Sequence, residues 1–150
     1  MGDNLFVKWE NRYAVGIRVI DEQHKQLINL TDALFESCRQ GEGFAREHFG
    51  EVLSAAVDYV AFHFSTEEQI MIRVNYPEYP AHKQEHEGFV KKVLEDKKRF
   101  EKGQSFVPNG FARYLRDWIL SHIAVSDKLI VDHILRLKKE GVLDLPPVLH

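Results

Sequence analysis

HFSTEEQIMIRVNYPEYPAHKQEH, residues 63–86, constrains the fold more tightly than any other stretch. It sets His63 and Glu67 four apart, breaks at Pro77 and Pro80, then sets His82 and His86 four apart. Residues four apart on an α-helix share one face, a turn above one another. The prolines end one helix and open the next. The segment therefore predicts two helices joined by the turn VNYPEYP, each offering a pair of metal-type ligands to the same side.

The same stripes continue on either side. The upstream helix, predicted from about Ala45 to Val74, carries Leu53, Ala56, Val57, Val60, His63, Phe64, Glu67 and Met71 at helical spacing. His63 and Glu67 thus lie on an apolar face, where a carboxylate is costly unless paired or bound to a cation. The downstream helix, about Ala81 to Lys102, carries His82, His86, Phe89, Val93 and Phe100. A fourth, about Asn109 to Lys139, aligns Phe111, Leu115, Trp118, His122, Val125 and Leu129. The first helix opens at Asp21 as its N-cap, carries Ile20, His24, Leu27, Thr31, Leu34 and Cys38 on one stripe, and stops at Gly41 and Gly43. Residues 1–20 lack helical periodicity and predict an extended arm, while Pro146 and Pro147 keep the tail irregular. Short connections predict an all-α, antiparallel up-down four-helix bundle. The expected organisation is one domain over 1–150: arm 1–20, bundle 21–139, tail 140–150.

Composition excludes several function classes. A formal net charge of −3 argues against nucleic acid or an anionic membrane as partner, since both call for a basic surface. No apolar run reaches membrane-spanning length. MGDNLFVKWENRY lacks a basic-then-apolar signal layout, so the expected location is cytoplasmic. The single cysteine, Cys38, rules out an intramolecular disulfide or a CxxC site and reads as core.

In an alternating bundle His24, His63, Glu67, His82, His86, His122 and Asp127 share one end. Five imidazoles and two carboxylates exceed the needs of one metal ion. They suit two ions bridged by the carboxylates, and nitrogen-rich ligation without thiolate suits iron, copper, zinc or nickel. His122 and Asp127 are five apart, about 140° on a regular helix. A π-type turn around Ile123–Ser126 would align them. Neither Glu-x-x-His nor HExxH occurs, which disfavours ferritin-like oxidases and zinc proteases. His48 and His150 read as exposed, His133 as surface or ligand-supporting, and Glu68 as solvated.

These pieces resemble the hemerythrin family in its bacterial single-domain form. The matching motifs are Asp21-Glu22-Gln23-His24, His63-Phe64-Ser65-Thr66-Glu67-Glu68, Tyr76-Pro77, His82-x-x-x-His86, and Trp118-x-x-x-His122-Ile123-x-x-x-Asp127-Lys128. The resemblance implies a non-haem di-iron centre that binds O2 reversibly, for transport, storage or delivery to an O2-consuming enzyme. It implies His82, His86 and His122 on one iron, and His24 and His63 on the other beside an open position. Glu67 and Asp127 would bridge both irons together with a hydroxide. It also implies Ile119, Trp118, Phe64 and Met71 as walls of the O2 pocket. A binder rather than an enzyme is expected; the competing readings are an O2 or redox sensor module and a di-iron oxidase or peroxidase.

Overall fold

A computed structural model describes residues 7–38 and 46–141. Its elements are a 3-10 turn (Asn11–Tyr13), α1 (Arg18–Cys38), α2 (Arg46–Arg73), α3 (Tyr79–Glu101), α4 (Pro108–His122), a π-turn (Ile123–Asp127) and α5 (Lys128–Lys139). The backbone stays helical through both π-turn junctions, so α4, the π-turn and α5 form one rod. Four antiparallel rods make the predicted bundle, with α1 packed on α2 and α4, and α2 on α3. No strand forms among the described residues, and no helix is long and apolar enough to cross a membrane. The expected Gly41/Gly43 stop and the tail beyond residue 141 lie outside the described residues.

Local chemistry fixes the rod ends. Asp21 is not the N-cap: α1 begins at Arg18, and Asp21 sits in its first turn. From there its carboxylate accepts the N–H groups of Val15 (2.8 Å) and Gly16 (3.1 Å), reaching back across the bend. Gly16 holds φ 91°, a left-handed conformation that glycine, lacking a Cβ, adopts without strain. At the end of α2, Asn75 adopts φ 51°. The Tyr76 N–H reaches the Met71 carbonyl (2.9 Å) and the Asn75 N–H reaches that of Ile72 (3.2 Å), which closes a Schellman cap. Pro80 then lies in the first turn of α3, where its missing N–H costs nothing. This tight reversal brings the His63/Glu67 and His82/His86 turns level.

Two apolar clusters fill the bundle. One gathers Leu27, Leu34, Phe49, Leu53, Phe64, Phe89, Phe100, Leu115 and Ile119. The other gathers Ile17, Ile20, Ile70, Met71, Ile130, Val131 and Ile134. The ligand-type side chains lie between them along every rod.

The fourth rod departs from its expected stripe. Val125 is 59% exposed and Leu129 53%, whereas Asp127, Ile130, Val131 and Ile134 are buried. The π-turn explains the change. It takes one extra residue into a single turn, so every inward position after it moves one place along the sequence.

Candidate metal centre

All seven predicted donors are buried and converge on one spot. They fall into two overlapping groups: Glu67, His82, His86, His122 and Asp127, and His24, His63, Glu67 and Asp127. The two carboxylates belong to both. Glu67 turns Oε1 toward His63 Nε2 (2.7 Å) and His24 Nε2 (3.4 Å), and Oε2 toward His86 Nε2 (3.2 Å) and His82 Nε2 (3.3 Å). Asp127 turns Oδ2 toward His24 Nε2 (2.9 Å), and Oδ1 toward His122 Nε2 (3.0 Å) and His82 Nε2 (3.3 Å). Each carboxylate thus gives one oxygen to each group. The π-turn carries Asp127 inward, at the position where the sequence predicts an irregular turn.

The donor set fits a cation better than it fits itself. His86 Nε2 and His122 Nε2 face each other at 3.1 Å. Two bare imidazole nitrogens at that distance repel unless a proton or a metal lies between them. Asp127 Oδ1 is buried and accepts no aligned hydrogen bond from the described residues, an expensive arrangement for a carboxylate oxygen without a cation. Imidazole and carboxylate donors without thiolate suit a non-haem iron site.

Electrostatics in the metal-free cluster are those of interleaved imidazolium and carboxylate. Burial pushes the Glu67 carboxyl up, but the charge of His63 and the imidazoles of His122 and His24 around it outweigh that and hold it well below the usual carboxylate range. Asp127, raised by burial and by Glu67, is brought down to about 2 by the charge of His122 close by and the hydrogen bond from His24. Burial lowers His24, His82 and His122. The same carboxylates overcome it and lift them to about 9, about 9 and about 10.

The sign of the pH dependence follows. The raised histidines stabilise the metal-free fold fully below their unfolded value near 6.5, and this is lost as pH rises through about 9 to 10. The depressed carboxylates stabilise it above about 4, and this is lost as pH falls toward 2. Metal binding needs neutral imidazoles, so it strengthens as protons leave. Thermal melts should therefore show the chelator-treated protein losing Tm from about pH 6.5 to 10. Over the same range the gap to the iron-loaded protein should widen. A constant gap would mean that the histidines release no protons to solvent when the metal binds.

Three residues outside the predicted set hold the imidazoles from behind. Gln23 Oε1 lies 2.7 Å from His63 Nδ1, Glu68 Oε2 lies 2.9 Å from His86 Nδ1, and Glu85 Oε2 lies 3.1 Å from His122 Nδ1. Glu68, expected to be solvated, is instead half-buried against His86. Each of the three sits one residue from a candidate donor of its own helix yet serves a histidine of the next one, α1 to α2, α2 to α3 and α3 to α4. Their adjacency to candidate donors was the available signal. His133 lies outside the cluster, its Nε2–H donating to the Val74 carbonyl at 2.8 Å, and His48 is exposed.

Aromatic side chains close the site. Phe64 stacks on His86 with ring centroids 3.7 Å apart and 1° between planes. Trp118 stacks on His122 (4.4 Å, 14°) and on Phe89 (3.9 Å, 14°). Ile119 joins the same apolar cluster as Phe64, and Met71 belongs to the other.

Known proteins resemble this chain in sequence and in fold. The hemerythrin HHE cation binding domain family matches residues 15–134. A bacteriohemerythrin of Stenotrophomonas maltophilia is 33% identical over 126 residues, 84% of this chain and 80% of that protein. One from Pseudomonas paraeruginosa is 34% identical over 136 residues, 91% of this chain and 86% of that protein. A crystal structure of wild-type hemerythrin superposes with a TM-score of 0.79 at 30% identity, covering 85% of this chain and 96% of that one. The buried histidine–carboxylate cluster, the four-rod frame and these matches agree: the chain belongs to the hemerythrin family.

Proposed function

We propose that the chain binds O2 reversibly at a di-iron centre, as a carrier, store or delivery protein, and does not turn substrate over. One observation carries the reading: each buried carboxylate splits its two oxygens between two histidine groups. That is the arrangement two bridged cations require. His82, His86 and His122 with one oxygen from each carboxylate make a five-donor position. His24 and His63 with the other two oxygens make a four-donor position, which leaves room for an exogenous ligand. Iron in these positions supplies the reversible two-electron chemistry on which O2 binding depends.

The protein's part is to bridge, orient and exclude water. Glu67 and Asp127 cancel half the charge of two divalent ions, which lets the pair sit between apolar clusters. Phe64 and Ile119, both 4% exposed, and the stacked Trp118 keep solvent from one side, and Met71 keeps it from the other. A dry pocket slows loss of bound O2 to water and anions. Truncating Ile119 to alanine should speed autoxidation of the oxygenated protein, followed optically; an unchanged rate would remove Ile119 from the wall.

The reading is tested by cycling the iron-loaded, reduced protein between argon and O2. A visible charge-transfer band that appears in O2 and vanishes on deoxygenation over repeated cycles supports it. Irreversible bleaching, or fast turnover of added peroxide, would replace the carrier with an enzyme.

A further inference from the structure

We propose that Gln23 is a positioning residue that sets the donor strength of the four-donor metal position; this rests on the di-iron reading above. The Thr66 hydroxyl sets the polarity of the Gln23 hydrogen bonds. That hydroxyl donates to the Phe62 carbonyl one turn back, at 3.1 Å. The Thr66 oxygen then accepts from the Gln23 amide N–H at 3.3 Å. This turns Gln23 Oε1 toward His63, where it accepts the Nδ1–H at 2.7 Å. This commits the His63 Nδ1–H to Gln23 and leaves Nε2, aimed at Glu67 and the metal position, as the nitrogen that exchanges its proton for a cation.

For His86 and His122 of the five-donor position the same role falls to carboxylates. Glu68 backs His86, and Glu85, itself fixed by the Ser126 hydroxyl at 2.7 Å, backs His122. A carboxylate behind an imidazole makes it a stronger electron donor, whereas a neutral amide does so much less. His24, the other imidazole of the four-donor position, finds no partner for its buried Nδ1 among the described residues. The two positions are therefore unlike in their backing as well as in their donor number. The position with room for a ligand has the weaker donors, and Gln23 is the residue that keeps His63 so.

The test titrates anaerobic Fe(II) into the metal-free protein against a competing chelator, for the parent and for Gln23→Leu, Gln23→Glu and Thr66→Val. In Gln23→Leu one equivalent should weaken by roughly 10–100-fold while the other keeps its affinity. Gln23→Glu, which retains the acceptor, should restore that affinity and shift the redox potential of the iron centre negative, read by spectroelectrochemistry. Thr66→Val, which frees the amide to rotate, should weaken the same equivalent less than Gln23→Leu does. Unchanged binding in Gln23→Leu, equal weakening of both equivalents, or an unmoved potential in Gln23→Glu would overturn the proposal. A parent protein that takes up only one Fe(II) would instead refute the di-iron reading itself.

Discussion

Replacing Glu67 with leucine should strip metal from both halves of the centre at once. Glu67 lies within 3.4 Å of four imidazole nitrogens from three helices, with one oxygen toward each histidine group. Leucine is of similar bulk, so the 1%-exposed position stays filled and the bundle keeps its helicity. What disappears is one of the two negative charges that, in the proposed centre, would bridge the ions and offset their four positive ones. The loss of iron affinity should exceed the roughly 10–100-fold typical of changing a partner behind a ligand. His63→Ala is the informative contrast. It removes a donor from the four-donor position alone, so O2 binding should be lost while one iron stays bound. Iron per chain after anaerobic loading and desalting distinguishes the two variants. Two irons retained in Glu67→Leu would show that the carboxylate does not bridge.

A second large effect should come from deleting one exposed residue, and its size should depend on where. Ala124 lies inside the π-turn, which holds one residue more than an α-turn needs. Deleting Ala124 restores regular winding and leaves both Asp127 and the Ile130, Val131, Ile134 face pointing inward. Deleting Leu129 just past the turn rotates the rest of α5 by about 100°. The chain can then relax the π-turn and keep the three apolar residues inside, or keep the turn and hold Asp127 inside, but not both. It loses either the bridging carboxylate or the burial of three side chains, each contributing about 1.5–3 kcal/mol. Melting temperature and iron content measured together should show at least one collapse for the Leu129 deletion and neither for the Ala124 deletion. Equal behaviour of the two would mean that the π-turn does not govern the register.

That register marks the boundary of what the sequence discloses. A helix stripe is legible wherever the winding is regular, as at Leu53, Val60, Phe64 and Met71 in α2 or Phe89, Val93 and Phe100 in α3, all buried as their spacing implies. The His122–Asp127 interval disclosed the irregular turn, because two donors that must meet cannot do so at i and i+5 on an α-helix. Its downstream consequence, the exchange of Val125 and Leu129 for Ile130, Val131 and Ile134, needs the winding of that turn and not only its presence. Gln23, Glu68 and Glu85 escaped for another reason. Helical periodicity ranks residues by the face of their own helix, while these three flank that face and act across to the next rod. Asp21 shows the same limit on a small scale: an acid near a helix start reads as a cap, yet it reaches back to Val15 and Gly16. The seven donors were legible because a buried imidazole or carboxylate is rare, and seven of them in register call for bound cations.

Reversible O2 binding here requires that these seven side chains enclose two irons, one with room for a further ligand. Anomalous diffraction at the iron edge, on crystals of protein loaded with Fe(II) under argon, locates the metal without assumptions about its ligands. Two separate peaks are expected, one among His82, His86 and His122 and one beside His24 and His63, with Glu67 and Asp127 touching both. A single peak, or two peaks each fully surrounded by protein donors, would contradict the di-iron centre proposed here.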